Sequence, residues 1–255
     1  MTVPSRYSLV LATDPSEVRA AQALRYDVFA GELAARLHSP DQGLDVDPLD
    51  AYCDHILVHD DRTGQAVGTY RMLRPERAEA AGRCYSETEF DLSALAPIRG
   101  SMVELGRSCV HPYHRSGAVI GLMWAGIHRY MVLTGNRWLA GCASVPLADG
   151  GATAAGVWDR VRTRHLAPPE YQVAPYARWQ DAGIVRPRRL QMPPLLRGYL
   201  RLRAWVCGPP AYDVDWNVAD LFVLLAIDRI HPRYQRHFLG LEATPAQTAR
   251  PGDPG

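Results

Sequence analysis

The sequence predicts a mixed α/β domain in which one central sheet is flanked by helices. Strand-like and helix-like segments follow one another in the order strand, helix, hairpin, strand, turn, helix, strand, helix, which is typical of a single layered core. The 255 residues are 47% hydrophobic, which is enough apolar surface for one large domain. We therefore expect one domain over residues 1–243, with a core at about 7–166 and an extension at about 167–243, followed by a flexible tail at 244–255.

Local signals support the regular elements in chain order. Residues 7–12 form the first predicted strand. Asp14, Pro15 and Glu17 then supply an N-cap, a first-turn proline and a capping-box acid for a helix that continues toward Leu37. Further strands are predicted at 55–59, 66–73, 102–110 and 138–145, the first two joined as a hairpin, and further helices at 118–133 and 154–166.

Four segments are harder to assign. Residues 78–99 are polar and irregular, and prolines interrupt residues 168–194. The segment 195–207 mixes apolar residues with arginines, so it is either a strand of the sheet or a stretch that contacts a membrane surface. Residues 214–230 contain an apolar run that we interpret as a further helix.

The composition excludes several functional classes. The formal charge is +1, from 28 basic and 27 acidic residues, so the basic excess of a nucleic-acid-binding protein is missing. Every basic residue is arginine, so neither a Schiff-base lysine nor a P-loop lysine is available. The five cysteines include no C-x-x-C pair and the nine histidines no H-E-x-x-H cluster, so we expect a reduced, cytoplasmic protein with no metal and no other cofactor.

The stretch ELGRSCV at 104–110 carries the strongest chemical signal. Glu104 and Arg107 are opposite charges in a strand that otherwise looks buried, so each needs a partner. A β-bulge near Gly106 would bring both toward one face and free backbone N–H groups. Such groups can bind a thioester carbonyl oxygen while Glu104 takes the proton of an attacking amine, which is the chemistry of acyl transfer. The alternative interpretation is a structural ion pair between Glu104 and Arg107.

Two further features are compatible with an acyl-transfer site. Arg71, in the neighbouring predicted strand, needs an anionic partner, which is either a protein acid such as Glu104 or the carboxylate of an acceptor amino acid. The turn at 111–117 precedes a helix and has the form of a phosphate cradle, a form that it shares with simple connectors. The sequence identifies no histidine as a catalytic partner of Cys109, so it does not support a covalent intermediate. Direct attack of the amine is therefore the simpler mechanism.

Several stretches together resemble one known family, the ornithine-lipid N-acyltransferases, over about residues 18–240. The similar stretches are CDHILV (53–58), VGTYRML (67–73), YSETEFDL (85–92), ELGRSCVHPYHRSGAVIGLMWAGI (104–127), GCAS (141–144), and MPPLLRGYLRLRAWVCG followed by Asp213, Asp215, Asn217 and Asp220. The sequence is more distantly similar to acyl-homoserine-lactone synthases. That similarity rests on spaced charged and aromatic residues: Arg25, Phe29, Asp47, Asp50, Arg71, Glu104 and Arg107.

The resemblance implies a GNAT-type N-acyltransferase fold with a central, mixed, mostly antiparallel sheet. It implies transfer of a 3-hydroxyacyl chain from acyl carrier protein to the α-amine of ornithine, which gives lyso-ornithine lipid. Glu104 would help to deprotonate the amine, with Arg71 and Arg107 as the other catalytic residues. The implied substrate-binding residues are Arg25, Phe29, Asp47, Asp50, Ser108, Cys109 and Val110, and the implied donor-binding residues are Arg115, Ser116, Gly117 and Ala118.

We expect the donor to be acyl carrier protein rather than coenzyme A. The usual GNAT pyrophosphate loop has two small residues, the second of them two positions after the first. The corresponding frame here is His114, Gly117 and Val119, so a valine replaces the second small residue and leaves less room for a diphosphate. Acyl carrier proteins are acidic, so an arginine patch is needed for docking. The candidates are Arg115, Arg129, Arg160, Arg162 and Arg164. The amphiphilic product also predicts transient contact with the inner face of the membrane.

Two other functions are compatible with the same sequence. A related enzyme would acylate another amino acid or make a signalling lactone, and it would differ in the acceptor alone. A non-catalytic module that binds acyl carrier protein would keep the fold but have a degenerate site. The presence of both Glu104 and Arg107 argues against the module.

Overall fold

The structure is a computed structural model that describes residues 6–115, 117–231 and 234. The strands are β1 (Tyr7–Leu11), β2 (Asp54–Asp60), β3 (Gln65–Leu73), β4 (Phe90–Asp91), β5 (Met102–Val110), β6 (Trp138–Pro146), β7 (Ala174–Pro175), β8 (Trp205–Val206), β9 (Ala211–Asp213) and β10 (Val218–Ala226). The helices are α1 (Pro15–Tyr26), α2 (Pro75–Ala81), α3 (Gly117–Thr134), α4 (Ala152–Arg164) and α5 (Pro194–Arg201).

One eight-stranded sheet organises the fold, in the order β1-β2-β3-β5-β6-β10-β8, with β9 paired to β10 beside β8. The pairings along this path are antiparallel except for β5 with β6, which is parallel and is connected through α3. The short strands β4 and β7 pair with each other. The predicted mixed, mostly antiparallel sheet flanked by helices is therefore confirmed.

The two faces of the sheet are covered differently. Helices α3, α4 and α5 bury a large apolar cluster on one face. The other face is covered by α1, by the loop before β2 and by the segment between β3 and β5. Strands β8, β9 and β10 complete the sheet, so the predicted extension shares the core of the first part. The predicted tail at 244–255 lies outside the described residues.

Helix α1 begins as predicted and ends earlier. The carboxylate of Asp14 accepts hydrogen bonds from the backbone N–H groups of Ser16 and Glu17, and the side chain of Glu17 returns a contact to the Asp14 N–H, which completes the capping box. The α-helix stops at Tyr26 and continues as a π-helical turn over Asp27–Glu32. Beyond this turn the chain runs to the C-terminal part, where the N–H of Arg36 donates to the Asp215 carbonyl oxygen.

The interpretation of residues 214–230 as a helix was wrong. Residues Val218–Ala226 form β10, a strand buried along its whole length because both faces of the sheet are covered there. Leu221 and Val223 pack into one core while Phe222 and Leu224 pack into the other. A strand with two buried faces lacks the alternation of apolar and polar residues that identifies most strands, so its sequence resembles a buried helix.

The segment 195–207 forms α5 and β8. Leu196, Tyr199 and Leu202 are buried in the main core, and the ring of Tyr199 lies 5.0 Å from that of Trp124 in an edge-on contact. The apolar side chains that suggested membrane contact are thus used in packing. None of the helices within the described residues is long and apolar enough to cross a membrane. The region at 78–99 is less irregular than expected, since it ends α2 and contains β4.

Candidate active site

A cavity opens where β5 and β6 separate. The two strands pair only as far as Glu104 and Ala140. At the next position Gly141 lies against the backbone of Leu105, and a Cβ added to this glycine would stand 2.3 Å from the Leu105 carbonyl oxygen. Beyond that contact the strands diverge and leave a cavity of about 250 Å³. On this side the backbone of β5 has no ladder hydrogen bonds to β6 and faces the cavity.

A β-bulge lies on β5 at the cavity. Between Gly106 and Cys109 the pairing with β3 shifts by one residue, so that Arg107 and Ser108 together stand opposite Tyr70. Arg107 has a φ of 49°, in the left-handed region that side-chain-bearing residues rarely adopt. The predicted bulge is therefore present. A bulge leaves backbone groups without ladder partners, and Gly106, Arg107 and Ser108 all line the cavity.

Three arginines and three aspartates form a closed ring of alternating charge next to the bulge. We call this set the charge ring. Its contacts, in order, are Arg25 to Asp50 (2.7 Å), Asp50 to Arg71 (3.0 Å), Arg71 to Asp47 (2.9 Å), Asp47 to Arg107 (2.8 Å), Arg107 to Asp45 (3.2 Å) and Asp45 to Arg25 (2.8 Å). The ring has no net charge, and it ties α1 and the loop before β2 to strands β3 and β5.

Four of the six members of the charge ring, Arg25, Asp45, Asp50 and Arg71, are buried. Arg25 is 0% exposed. Burial alone would raise the pKa of Asp50, but the contacts with Arg25 and Arg71 hold that pKa well below its usual range. Arg71 thus has protein acids as partners, Asp47 and Asp50, and neither Glu104 nor an open anion site. The structure brings together four of the predicted residues in this network: Arg25, Asp47, Asp50 and Arg71. Asp45 also belongs to the network, and the sequence analysis did not identify it.

Arg107 joins the charge ring to the cavity wall. Its guanidinium carbon lies 5.4 Å from the ring centroid of Tyr85 and 5.1 Å from that of Trp216. Phe29 makes an edge-on contact with Trp216, with 4.9 Å between centroids. The predicted residues Phe29 and Arg107 both line the cavity, whose aromatic wall also includes Tyr85 and Trp216.

Glu104 has a different environment from the one expected. It is 5% exposed, and its two carboxylate oxygens accept hydrogen bonds from the backbone N–H groups of Tyr85 (2.7 Å) and Ser86 (2.8 Å). Within the described part of the chain it makes no ion pair with Arg107, so that interpretation was wrong. Glu104 lies outside the cavity lining and fixes the segment that presents Tyr85 to the cavity. Its role as the base stays a prediction.

Three acidic residues at the other side of the cavity were not predicted as a group. We call Glu89, Asp213 and Asp220 the acidic cluster, since carboxylate oxygens of the three lie within 4.8 Å of one another. Burial, together with the neighbouring carboxylates, raises the pKa of Glu89 and that of Asp220. A signal was present in the sequence, because Asp220 is the one acid within the apolar run of β10. Asp213 and Asp220 line the same cavity as the bulge.

The next predicted positions on β5 divide between the two faces of the strand. Ser108 lines the cavity. Cys109 is buried with Leu24 and Val28 of the α1 region, where burial raises the pKa of its thiol. Val110 packs against the main core. Cys109 and Val110 point to opposite faces of the strand, into two different cores, and neither lines the cavity.

The predicted donor residues lie apart from the cavity lining. The Arg115 guanidinium forms a two-point ion pair with Glu32, one contact being 2.6 Å, and its Nε donates to the Val110 carbonyl. Gly117 and Ala118 begin α3 and are exposed, whereas Ser116 lies outside the described residues. Val119 is buried, and a Cβ added to Gly68 of β3 would lie 3.1 Å from its side chain. Val119 thus points into the core and takes no room from a diphosphate.

The other proposed docking arginines are exposed but distant from the cavity mouth. Arg129 lies in the second half of α3, and Arg160, Arg162 and Arg164 lie in the last turns of α4. The cavity lies at the end of the sheet where these helices begin. Arg162 also pairs with Asp159 at 3.0 Å. The arginine patch for acyl carrier protein stays a prediction.

Comparison with known proteins defines the family of this fold. Residues 24–125 match the acetyltransferase (GNAT) domain family. The L-ornithine N(alpha)-acyltransferase of Brucella abortus (strain 2308) is 34% identical over 250 residues, which cover 91% of this chain and 88% of the relative. The enzyme of the same name from Rhodobacter capsulatus is 33% identical over 251 residues, which cover 92% of this chain and 95% of the relative.

Solved structures support the same fold at much lower identity. The acyl-homoserine lactone synthase LasI has a TM-score of 0.52 at 13% identity, covering 93% of this chain and 96% of that one. The CoA-dependent acyl-homoserine lactone synthase MesI has a TM-score of 0.53 at 14% identity, covering 93% and 97%. The fold, the bulge beside the split in the sheet, and the identity with full-length relatives agree: the chain belongs to the L-ornithine N(alpha)-acyltransferase family of GNAT-domain acyltransferases.

Proposed function

We propose that this chain transfers a 3-hydroxyacyl group from acyl carrier protein to the α-amine of ornithine and so makes lyso-ornithine lipid. The observation that carries the proposal is the bulge on β5, which faces a cavity at the split between β5 and β6. An extended thioester can enter such a split while the bulge offers backbone N–H groups to its carbonyl oxygen. Family membership supplies the acceptor, because the full-length relatives are named for N-acylation of ornithine.

The chemistry needs one bond to form and one to break. The neutral α-amine attacks the thioester carbonyl carbon, and the oxygen takes up negative charge that the bulge stabilises. Collapse of the tetrahedral intermediate forms the amide C–N bond and breaks the C–S bond. The amine gives up a proton to a base, and the departing thiolate takes one up, so the reaction consumes no cofactor. Removing one hydrogen-bond donor from a site of this kind typically costs about a hundredfold or more in kcat.

Glu104 acts in this proposal chiefly as a positioning residue, with base catalysis through a water as the second possibility. Both of its oxygens accept backbone N–H groups, so Glu104→Gln would set its own NH2 group against one of those donors. We expect turnover of Glu104→Gln to fall on the order of a hundredfold. If Glu104 is the base, the acidic limb of the pH–rate profile disappears. If it positions Tyr85, that limb is retained and the KM for ornithine rises.

The donor is proposed to be acyl carrier protein, and its support comes from the family resemblance. Since Val119 points into the core, the loop itself does not discriminate between carrier protein and coenzyme A. Parallel assays with 3-hydroxyacyl carrier protein and with the matching coenzyme A thioester decide the donor. We expect a higher kcat/KM with the carrier protein, and equal values would overturn that part of the proposal.

Mass spectrometry of product formation tests the function. The purified protein is mixed with each donor and with ornithine, lysine, glutamine or S-adenosylmethionine as acceptor, and acyl-ornithine is the expected product. Ser144 lines the cavity, so Ser144→Phe should abolish the product by filling it, whereas Thr163→Phe on the outer face of α4 is the matched control. A product from another acceptor would keep the chemistry and change the substrate. No product with any donor would favour the non-catalytic module.

A further inference from the structure

The charge ring and the acidic cluster lie near one cavity and differ in one respect. Each aspartate of the charge ring contacts two arginines. The three carboxyl groups of the acidic cluster contact no arginine in the described residues, and the acids nearest to Glu89 and Asp220 are members of the cluster itself. A buried group of like charges is costly unless a cation joins it. The cluster is therefore neutralised either by protons, as the raised pKa values of Glu89 and Asp220 indicate, or by a cation that binds to it.

Unpaired atoms mark the place where such a cation would bind. Asp220 is 2% exposed, and its Oδ1 atom is buried without a hydrogen-bond partner. Both carboxylate oxygens of Glu89 are likewise buried without a hydrogen bond of good geometry, and their neighbours are the Tyr85 hydroxyl and the Asp220 carboxyl group. Asp213 is partly satisfied, because it accepts hydrogen bonds from the Tyr85 hydroxyl at 3.3 Å and from the Trp216 N–H at 3.1 Å. Unsatisfied buried acceptors are rare in folded proteins and commonly indicate a missing ligand group.

The nearest arginine of the cavity wall does not fill this role. Arg107 lies over the Tyr85 ring, but its guanidinium is held by Asp45 and Asp47 of the charge ring. Arg36 and His38 line an adjoining cavity together with Glu89 and Asp213, but within the described residues neither forms an ion pair with the cluster, and His38 contacts Asp215. Within the described residues no cation pairs with the cluster, and the cavity gives a cation from outside access to Asp213 and Asp220.

The order of the strands sets the distance between the acidic cluster and the bulge, and this distance can be compared with the length of ornithine. Ser144 pairs with Asp220 on β10, and Ser108 of the bulge, Ser144 and Asp220 all line the cavity. Asp220 is thus two strands away from β5, which is at least about 10 Å because the split widens the normal strand spacing. An aspartate side chain and its hydrogen bond to an ammonium cover roughly 5 Å of this. The two amino groups of extended ornithine, joined through five single bonds, span roughly 6 Å more, so the two lengths together reach about 11 Å.

We propose that Glu89, Asp213 and Asp220 bind the side-chain ammonium of the acceptor, so that a basic amino acid is held with its α-amine at the bulge. The inference rests on the proposed function and adds the residues that select the acceptor. Norvaline, which has the carbon chain of ornithine without the δ-amine, would enter the cavity but leave the carboxylates without a partner. The acidic cluster is then a specificity determinant, and the charge ring is a scaffold.

The test compares acceptors in wild-type protein and in two variants of the cluster, Asp220→Asn and Glu89→Gln. The control is Asp228→Asn, which removes an exposed acid that pairs with Arg137 at the surface. The ratio of kcat/KM for ornithine to that for norvaline is measured for each protein. Hydrogen bonds to charged groups predict a wild-type ratio on the order of a hundredfold, and a decrease of at least about tenfold in each cluster variant. The decrease should come chiefly from a higher KM for ornithine, so that kcat/KM falls by a larger factor for ornithine than for norvaline.

Several outcomes would overturn the inference, and they are distinguishable from failure of the proposed function. If wild-type protein acylates ornithine and norvaline equally well, or if both cluster variants keep the wild-type ratio, the cluster does not select the acceptor although ornithine acylation stands. Loss of activity with EDTA and its recovery with Mn²⁺ would make the cluster a metal site instead. Absence of any acyl-ornithine with the wild-type protein would overturn the proposed function together with the inference. Circular dichroism confirms that each variant is folded.

Discussion

Replacing Arg25 with leucine tests whether the charge ring holds the fold around the cavity. Arg25 is fully buried and contacts Asp50 at 2.7 Å and Asp45 at 2.8 Å. The variant would leave each of these carboxylates with a single arginine, Arg71 for Asp50 and Arg107 for Asp45. Removing one partner of a buried ion pair typically costs about 3–5 kcal/mol, because an uncompensated charge stays in the interior.

The expected loss is large enough to measure by thermal unfolding. For a domain of this size each kcal/mol corresponds to about 2–4 °C in Tm, so Arg25→Leu should lower Tm by roughly 6–20 °C. The matched control is Arg19→Leu on the same helix, since Arg19 is 65% exposed and lies 4.0 Å from Asp41. An exposed pair of this kind contributes less than about 1 kcal/mol. Urea midpoints with an unchanged m-value would confirm that the difference is one of stability.

The pH dependence gives the same experiment a second readout. The pKa of Asp50 is lowered in the folded protein, so the stabilisation from its contacts is present above the ordinary carboxyl pKa and is lost as the pH falls toward the folded value. The difference in Tm between wild type and Arg25→Leu should therefore decrease below about pH 4. Equal Tm values for the Arg25 and Arg19 variants, or a difference that does not depend on acid, would refute the structural role of the ring.

Further variants address the split in the sheet and the acidic cluster. Gly141→Ala should push β5 and β6 apart and lower both Tm and kcat, because the new Cβ would stand 2.3 Å from the Leu105 carbonyl oxygen. The control is Gly121→Ala, whose new Cβ would have no atom within 4 Å, and it should leave Tm and kcat nearly unchanged. Burial raises the pKa of Asp220, so ionisation of this group favours the unfolded state and destabilises the fold as the pH rises above about 4. Asp220→Asn removes this cost and should therefore raise Tm at neutral pH. A Tm for Asp220→Asn that is lower than that of wild type at pH 7.5 would contradict this reasoning.

Features set by neighbouring residues were predictable from the sequence. The capping box at Asp14 and Glu17 depends on residues three positions apart, and the structure contains it. A bulge near Gly106 was predicted from two charges in an apolar strand, and the structure has one at Arg107 and Ser108, although Glu104 and Arg107 do not pair. In each case the physical constraint acts within a few residues, so the local sequence is sufficient.

Features that depend on distant parts of the chain were missed or misread. Closure of the charge ring needs Asp45, which the fold brings to Arg25 and Arg107 across long sequence separations. The partners of Glu104 are backbone N–H groups, which every residue except proline has, so no sequence pattern identifies them. The acidic cluster combines a loop residue with β9 and β10, and this combination follows from sheet order and not from spacing.

The two groups of buried acids also differ in what they do for folding, and this difference supports their separate roles. The aspartates of the charge ring are neutralised within the chain, so the ring stabilises the fold and offers no free charge to a substrate. The acidic cluster costs stability at neutral pH, since burial raises the pKa of Glu89 and Asp220 and no arginine in the described part of the chain pairs with them. A protein keeps such a group where binding requires it. A ligand with a permanent positive charge would remove the cost on binding, which is why the unpaired acids, and not the ring, are expected to select a diamino acid.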